Sequence, residues 1–139
     1  MSGDGGGTDE TGAAGATGAA GAVRLTPGEV TDAATRPLAH EPVPDDQVVA
    51  GAPTTAYGEL DVSADGAREL GVWEMTPGAM RDTESDEVFL VIAGRATVEF
   101  IDPALPAIEL APGSLVRLEA GMRTVWTVHE TLRKLYVAP

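Results

Sequence analysis

From residue 54 onward the chain is never apolar, or alternating, for longer than a β-strand can use. "TTAYGEL", "AREL", "GVWEMT", "EVFLVIA", "RATVEFI", "AIELA", "SLVRL", "RTVWTVH" and "LRKLYVA" follow one another. Turn signals break them at intervals of roughly eight to twelve residues, the spacing of a sandwich or barrel. The breaks are Asp65-Gly66, Pro77-Gly78, Gly94, "DPALP", Pro112-Gly113 and Glu119-Ala120-Gly121. Glycine accepts backbone angles closed to other residues, and proline cannot donate to a ladder, so strands end or reverse there. In "RATVEFI" the alternation is strict, with Ala96, Val98 and Phe100 on one face and Arg95, Thr97 and Glu99 on the other. No stretch repeats apolar residues at helical spacing. The expectation is an all-β closed architecture of roughly eight strands, with a hairpin around Asp65-Gly66.

The N-terminal part has a different texture. Residues 1–22 hold eight of the 17 glycines and almost no bulky apolar side chain, so ordering them would bury too little surface to offset the entropy lost. They are expected to be a disordered Gly/Ala-rich leader. Residues 23–53 carry Pro27, Pro37, Pro42, Pro44 and Pro53 and little periodicity, which suits an extended Pro-rich arm lying over the domain. The barrel domain is expected over 54–139. Its core should be concentrated in 71–139, where Trp73, Phe89, Phe100, Trp126 and Tyr136 fall.

Net charge is -13, which repels nucleic acid and anionic membrane surfaces, so neither is an expected partner. There is no cysteine, which excludes disulfides and thiolate chemistry. No secretory pattern opens the chain, and no run approaches the ~20 apolar residues that span a bilayer. A cytoplasmic protein is expected, and apolar edge strands with an exchangeable arm make it an expected homodimer.

At "GVWEMTPG", "DEVFLVIAG", "APGSLVRLEAG" and "TVWTVHETLRKLYV" the sequence resembles a small single-domain cupin of the ureidoglycine aminohydrolase-like and ethanolamine-utilisation type. Glu87 and Gly94 match the end of the first cupin motif. Gly113 and Glu119-Ala120-Gly121 match the second. Trp73, Trp126 and the closing Arg133, Lys134 and Tyr136 carry the narrower likeness. The resemblance implies a jelly-roll barrel, the double-stranded β-helix of the cupins. It also implies a ligand in the barrel mouth, with Glu87 facing the cavity.

Metal-dependent cupins carry a His-x-His pair just before that glutamate and a third histidine in the second motif. Here the pair would fall at Arg81 and Thr83 or at Met80 and Asp82, and the third histidine is Thr124. Imidazole is what zinc, iron and nickel prefer, whereas carboxylates suit manganese or magnesium. No metal and no other cofactor is expected, with manganese, zinc or nickel left as the alternative. His40 and His129 match no ligand position.

The candidate site residues are then Glu87 as acid/base group, with Trp73, Arg81, Thr124, Trp126 and Tyr136 as ligand-binding residues. Each has a plainer reading. Both tryptophans serve equally as core fillers, Thr124 as a strand former and Tyr136 as packing. Arg81 is either a pocket residue paired with Glu87 or a surface charge. Asp82 and Glu84 are expected to form a solvated acidic turn. The first functional reading is a pocket that binds a small polar, nitrogenous molecule. The second is an aminohydrolase-like or isomerase-like enzyme using Glu87, and the third a structural or regulatory homodimeric module.

Overall fold

A computed structural model describes residues 23–139; the expected leader at 1–22 lies outside the described residues. The described chain is all-β, without a helix. Two short strands, β1 (Glu41–Pro42) and β2 (Val48–Ala50), belong to the proline-rich arm. The barrel proper consists of β3 (Thr54–Val62), β4 (Glu69–Met75), β5 (Gly78–Thr83), β6 (Glu87–Asp102), β7 (Leu105–Leu110), β8 (Leu115–Leu118) and β9 (Arg123–Ala138).

Everything hangs on the two long strands, β6 and β9, which pair antiparallel along most of their 16 residues each. Their far edges divide. The second half of β9 pairs with β4 and its first half with β5. The first half of β6 pairs with β8 and its second half with β7. One half-sheet therefore runs β1-β3-β4-β9-β6-β8 and the other β2-β5-β9-β6-β7. The two are joined through bends in the shared strands, the arrangement of a jelly-roll barrel.

Three breaks expected from the sequence are not breaks, and one strand lies where none was expected. "AREL" and "GVWEMT" contribute to the single strand β4, "GAMRDT" is strand β5 rather than the approach to a turn, and β6 and β9 run on through Gly94 and Glu130. Gly94 shows why. It has φ +90°, and a Cβ built on it would stand 2.0 Å from the Thr131 carbonyl oxygen. At this point the backbones of β6 and β9 touch, and the register shifts between Val91 and Ala96. Glycine here bends a strand instead of ending it.

The inward positions of both halves meet in one core that includes Trp73, Met75, Phe89, Val98, Trp126 and Leu132. Full burial of each such side chain contributes ~1.5–3 kcal/mol of transfer free energy. The arm adds Val43 to this core. Outside, it is held by Arg133, whose Nη1 donates to the Ala33 carbonyl at 2.9 Å and whose Nη2 donates to Glu74 Oε1 at 2.9 Å. His40 Nε2 lies 3.2 Å from the same Glu74 oxygen. Among the described residues no helix is long and apolar enough to cross a membrane.

Candidate functional site

The site lies at the end of the barrel where β5 stops, β6 begins and the β8–β9 turn closes over both. The backbone ties these turns together: Glu84 N donates to the Met122 carbonyl, and Gly121 N donates to that of Glu84. Asp86 accepts from Ala120 N at 2.9 Å, so this acid fastens the turn from the outside.

Because side chains alternate along a strand, Met80, Asp82 and Glu84 share the inward face of β5 and its extension. Opposite Met80 and Asp82 stand Trp126 and Thr124. Glu84 is 5% exposed, which corrects the expectation of a solvated turn. Thr124 Oγ1 donates to Glu84 Oε2 at 2.6 Å, and Trp126 Nε1 donates to the same oxygen at 2.8 Å. Burial holds the Glu84 carboxyl above the usual carboxylate range, against the opposing pull of Lys134 and these two donors. Both donors converge on Oε2, and no described residue donates to Oε1. Asp82, half-buried beside it, is pushed up to about 8 by burial first and by the Glu84 charge second.

Glu87 is 7% exposed and paired with Lys134, which is 2% exposed. Lys134 lies on β9 between Trp73 of β4 and Val91 of β6. Its Nζ stands 4.3 Å from the ring centre of Phe89, 4.8 Å from Trp73 and 4.9 Å from Trp126. Trp126 is tilted against both other rings, at 5.5 and 5.8 Å. Three aromatic faces and one carboxylate thus enclose a single ammonium, a cation–π arrangement strengthened by exclusion of water.

A third acidic group sits nearby on β3 and β4. Tyr136 Oη donates to Glu69 Oε2 at 2.6 Å. Burial, and then this bond to Glu69, holds the tyrosine hydroxyl far above its ordinary range. Gly71, opposite Tyr136 on β4, makes room: a Cβ there would meet the hydroxyl oxygen at 2.5 Å. Glu59 is raised by burial and by the charge of Glu69.

Trp73, Glu87, Thr124, Trp126 and Tyr136 are all buried on the inward faces. Arg81 is not among them. It is exposed, and its Nη1 donates to the Asp46 carbonyl at 3.0 Å, so it holds the arm rather than Glu87. The basic partner of Glu87 is Lys134, and the partner of Arg133 is Glu74. Glu84 and Lys134 were the residues missed. The signal was there in part, since Lys134 alternates with Leu132 and Tyr136 on one face and is the only lysine in the chain.

The donor set does not fit the metal of histidine-bearing cupins. Among the described residues no three His, Asp or Glu side chains are grouped as metal ligands would be. The first-motif glutamate already carries a cation, the Lys134 ammonium.

Against known proteins, a search of curated sequences finds no match. Solved structures match in fold. The EutQ protein of Clostridium difficile is 19% identical, with TM-score 0.52, covering 62% of this chain and 68% of that one. A protein of unknown function from Pseudomonas syringae pv. tomato is 19% identical, with TM-score 0.63 over 76% of this chain and 45% of that one. Ectoine synthase from P. lautus is 17% identical, with TM-score 0.52 over 60% and 62%. The model of the EutQ-like cupin domain matches residues 62–136, from the β3–β4 hairpin to Tyr136, and with it the Trp73, Glu87 and Lys134 positions: this chain belongs to the EutQ-like cupin family.

Proposed function

We propose that this chain binds a small, polar, nitrogenous molecule at the Glu84–Glu87 end of the barrel. The observation that carries the reading is Glu84. It is a buried carboxyl whose two donors among the described residues both converge on Oε2. Its second oxygen accepts from no described residue, and a buried acceptor without a donor costs ~1–3 kcal/mol until one arrives. A ligand N–H supplies that donor. The surroundings select further: among the described residues, carboxyls at Asp82, Glu84 and Glu87 against the Lys134 ammonium favour a donor-rich, neutral or cationic molecule over an anion.

The test is a thermal-shift screen of small amides, ureido compounds, amines and sugars against the parent chain and Glu84→Gln. A saturable rise with a nitrogenous compound, reduced at least tenfold in affinity by Glu84→Gln, supports the reading. A set of hits that Glu84→Gln leaves unchanged contradicts it.

A second reading is enzymatic, and one observation favours it. A carboxyl held above its usual range stands close to an ion-paired one, the pattern from which acid and base assignments are made. On this reading Glu84 donates a proton and Glu87 accepts one, contributing ~10²- to 10⁴-fold each. Turnover of any hit that survives Glu87→Gln undiminished removes it.

A further inference from the structure

We propose that Lys134 is the resident cation of this barrel. Its ammonium performs the charge compensation on Glu87 that a divalent metal performs on the corresponding glutamate of histidine-bearing cupins. The chamber made by Trp73, Phe89, Trp126 and Glu87 is accordingly a primary-alkylammonium site, filled from within by the chain's own side chain.

Four observations converge on this. Lys134 is the only lysine in the chain, and it is 2% exposed. Its Nζ is bonded to Glu87 Oε2. Three ring centres lie between 4.3 and 4.9 Å from that nitrogen, one each from β4, β6 and β9. The positions where histidines would ligate a metal are occupied by residues that include Thr124, and Thr124 is spent on Glu84.

A compact ammonium is the cation such a chamber takes. Ammonium groups are held by aromatic faces from any direction, whereas a guanidinium is planar and stacks only through two opposed faces, which three rings around one atom do not match. A dication brought to Glu87 meets a fixed positive charge a few ångströms away and no imidazole. The inference concerns what balances the charge of Glu87 and holds for any ligand of the Glu84 end.

The test removes the side chain and returns its atoms. Lys134→Ala deletes three methylenes and the ammonium, which n-propylammonium restores in solution. Melting temperature is followed with n-propylammonium chloride, with sodium chloride at equal ionic strength and with 1-propanol. The expected result is a saturable rise of about 3–6 °C with the ammonium alone, at ten times its dissociation constant, and none for the parent.

If Lys134→Ala does not fold, Lys134→Cys serves, because the chain has no other thiol. It is alkylated in denaturant with 2-bromoethylamine, which rebuilds a lysine-like ammonium, or with iodoacetamide, which adds a neutral amide, and is then refolded. Refolding by the aminoethylated protein alone supports the proposal. Equal recovery with the amide overturns it, as does an Ala variant that 1-propanol or sodium chloride stabilises as well as n-propylammonium does. A parent chain whose melting temperature falls on dialysis against a chelator and returns with manganese, zinc or nickel overturns it too.

Discussion

Lys134 and Glu87 are each other's charge partner inside the barrel, both almost fully buried, with the ammonium walled by aromatic rings. A buried pair of this kind is costly to break from one side, because the survivor keeps its charge without its partner. Lys134→Met should destabilise by about 3–5 kcal/mol in urea unfolding. Glu87→Gln should cost about 2 kcal/mol or more, since the rings still face the ammonium. The double variant should cost less than the sum by at least ~1 kcal/mol. Strict additivity would mean that the two groups do not interact.

The acids beside them set a pH dependence. Asp82 is raised from 3.8 to about 8, and Glu84 is raised as well, in each case chiefly by burial. A carboxyl whose folded pKa lies above its unfolded value keeps its proton longer in the native state. Stability is therefore full below about pH 4 for this contribution and falls as pH rises toward 8. Asp82→Asn should flatten that decline and raise stability at pH 8 by on the order of 1 kcal/mol, after allowance for its partial exposure. Melting temperatures taken from pH 4 to 9 read this directly. A variant whose profile parallels the parent's places the decline elsewhere.

Arg133 joins the arm to the barrel through the Ala33 carbonyl and Glu74. Arg133→Met removes both bonds and leaves Glu74 with His40 alone among these partners. Limited proteolysis should then cut within residues 26–40 several-fold faster than in the parent, with a stability loss of about 2–3 kcal/mol. Unchanged cleavage would show that the arm is held by its other contacts.

Gly94 is the contact point of the two long strands. Gly94→Ala puts a Cβ against the Thr131 carbonyl and strains a backbone at φ +90°. It should cost about 3 kcal/mol or more, or prevent folding. Gly113→Ala is a control: it shares the positive φ but has nothing within 4 Å, and should cost about 1 kcal/mol.

How far the sequence could be read depended on how local the cause was. The hairpin at Asp65-Gly66 is decided by residues within a few positions and reverses the chain as its chemistry dictates, whereas Pro112-Gly113 ends β7 without reversing the chain, since β7 and β8 both run antiparallel to β6. Gly94 was ambiguous, since a positive-φ glycine looks the same in a turn as in the bend of a long strand. The distinction needed Thr131 on another strand. The acids illustrate the same limit. That Asp82 and Glu84 share a face follows from alternation alone. That Glu84 is buried is decided by Thr124 and Trp126, 40 and 42 positions away. Glu87 came from the motif, but its partner did not, because Arg81 was the nearer base in sequence while Lys134 is the nearer in space.

The central claim is that an ammonium, and not a metal, balances the acids of this barrel. Elemental analysis of the purified, tag-free chain tests it most directly, repeated after incubation with manganese, zinc, iron and nickel and removal of excess ion. The account expects metal at background in every sample, with the parent's melting temperature unmoved. One metal per chain, lost on Glu87→Gln, would contradict it.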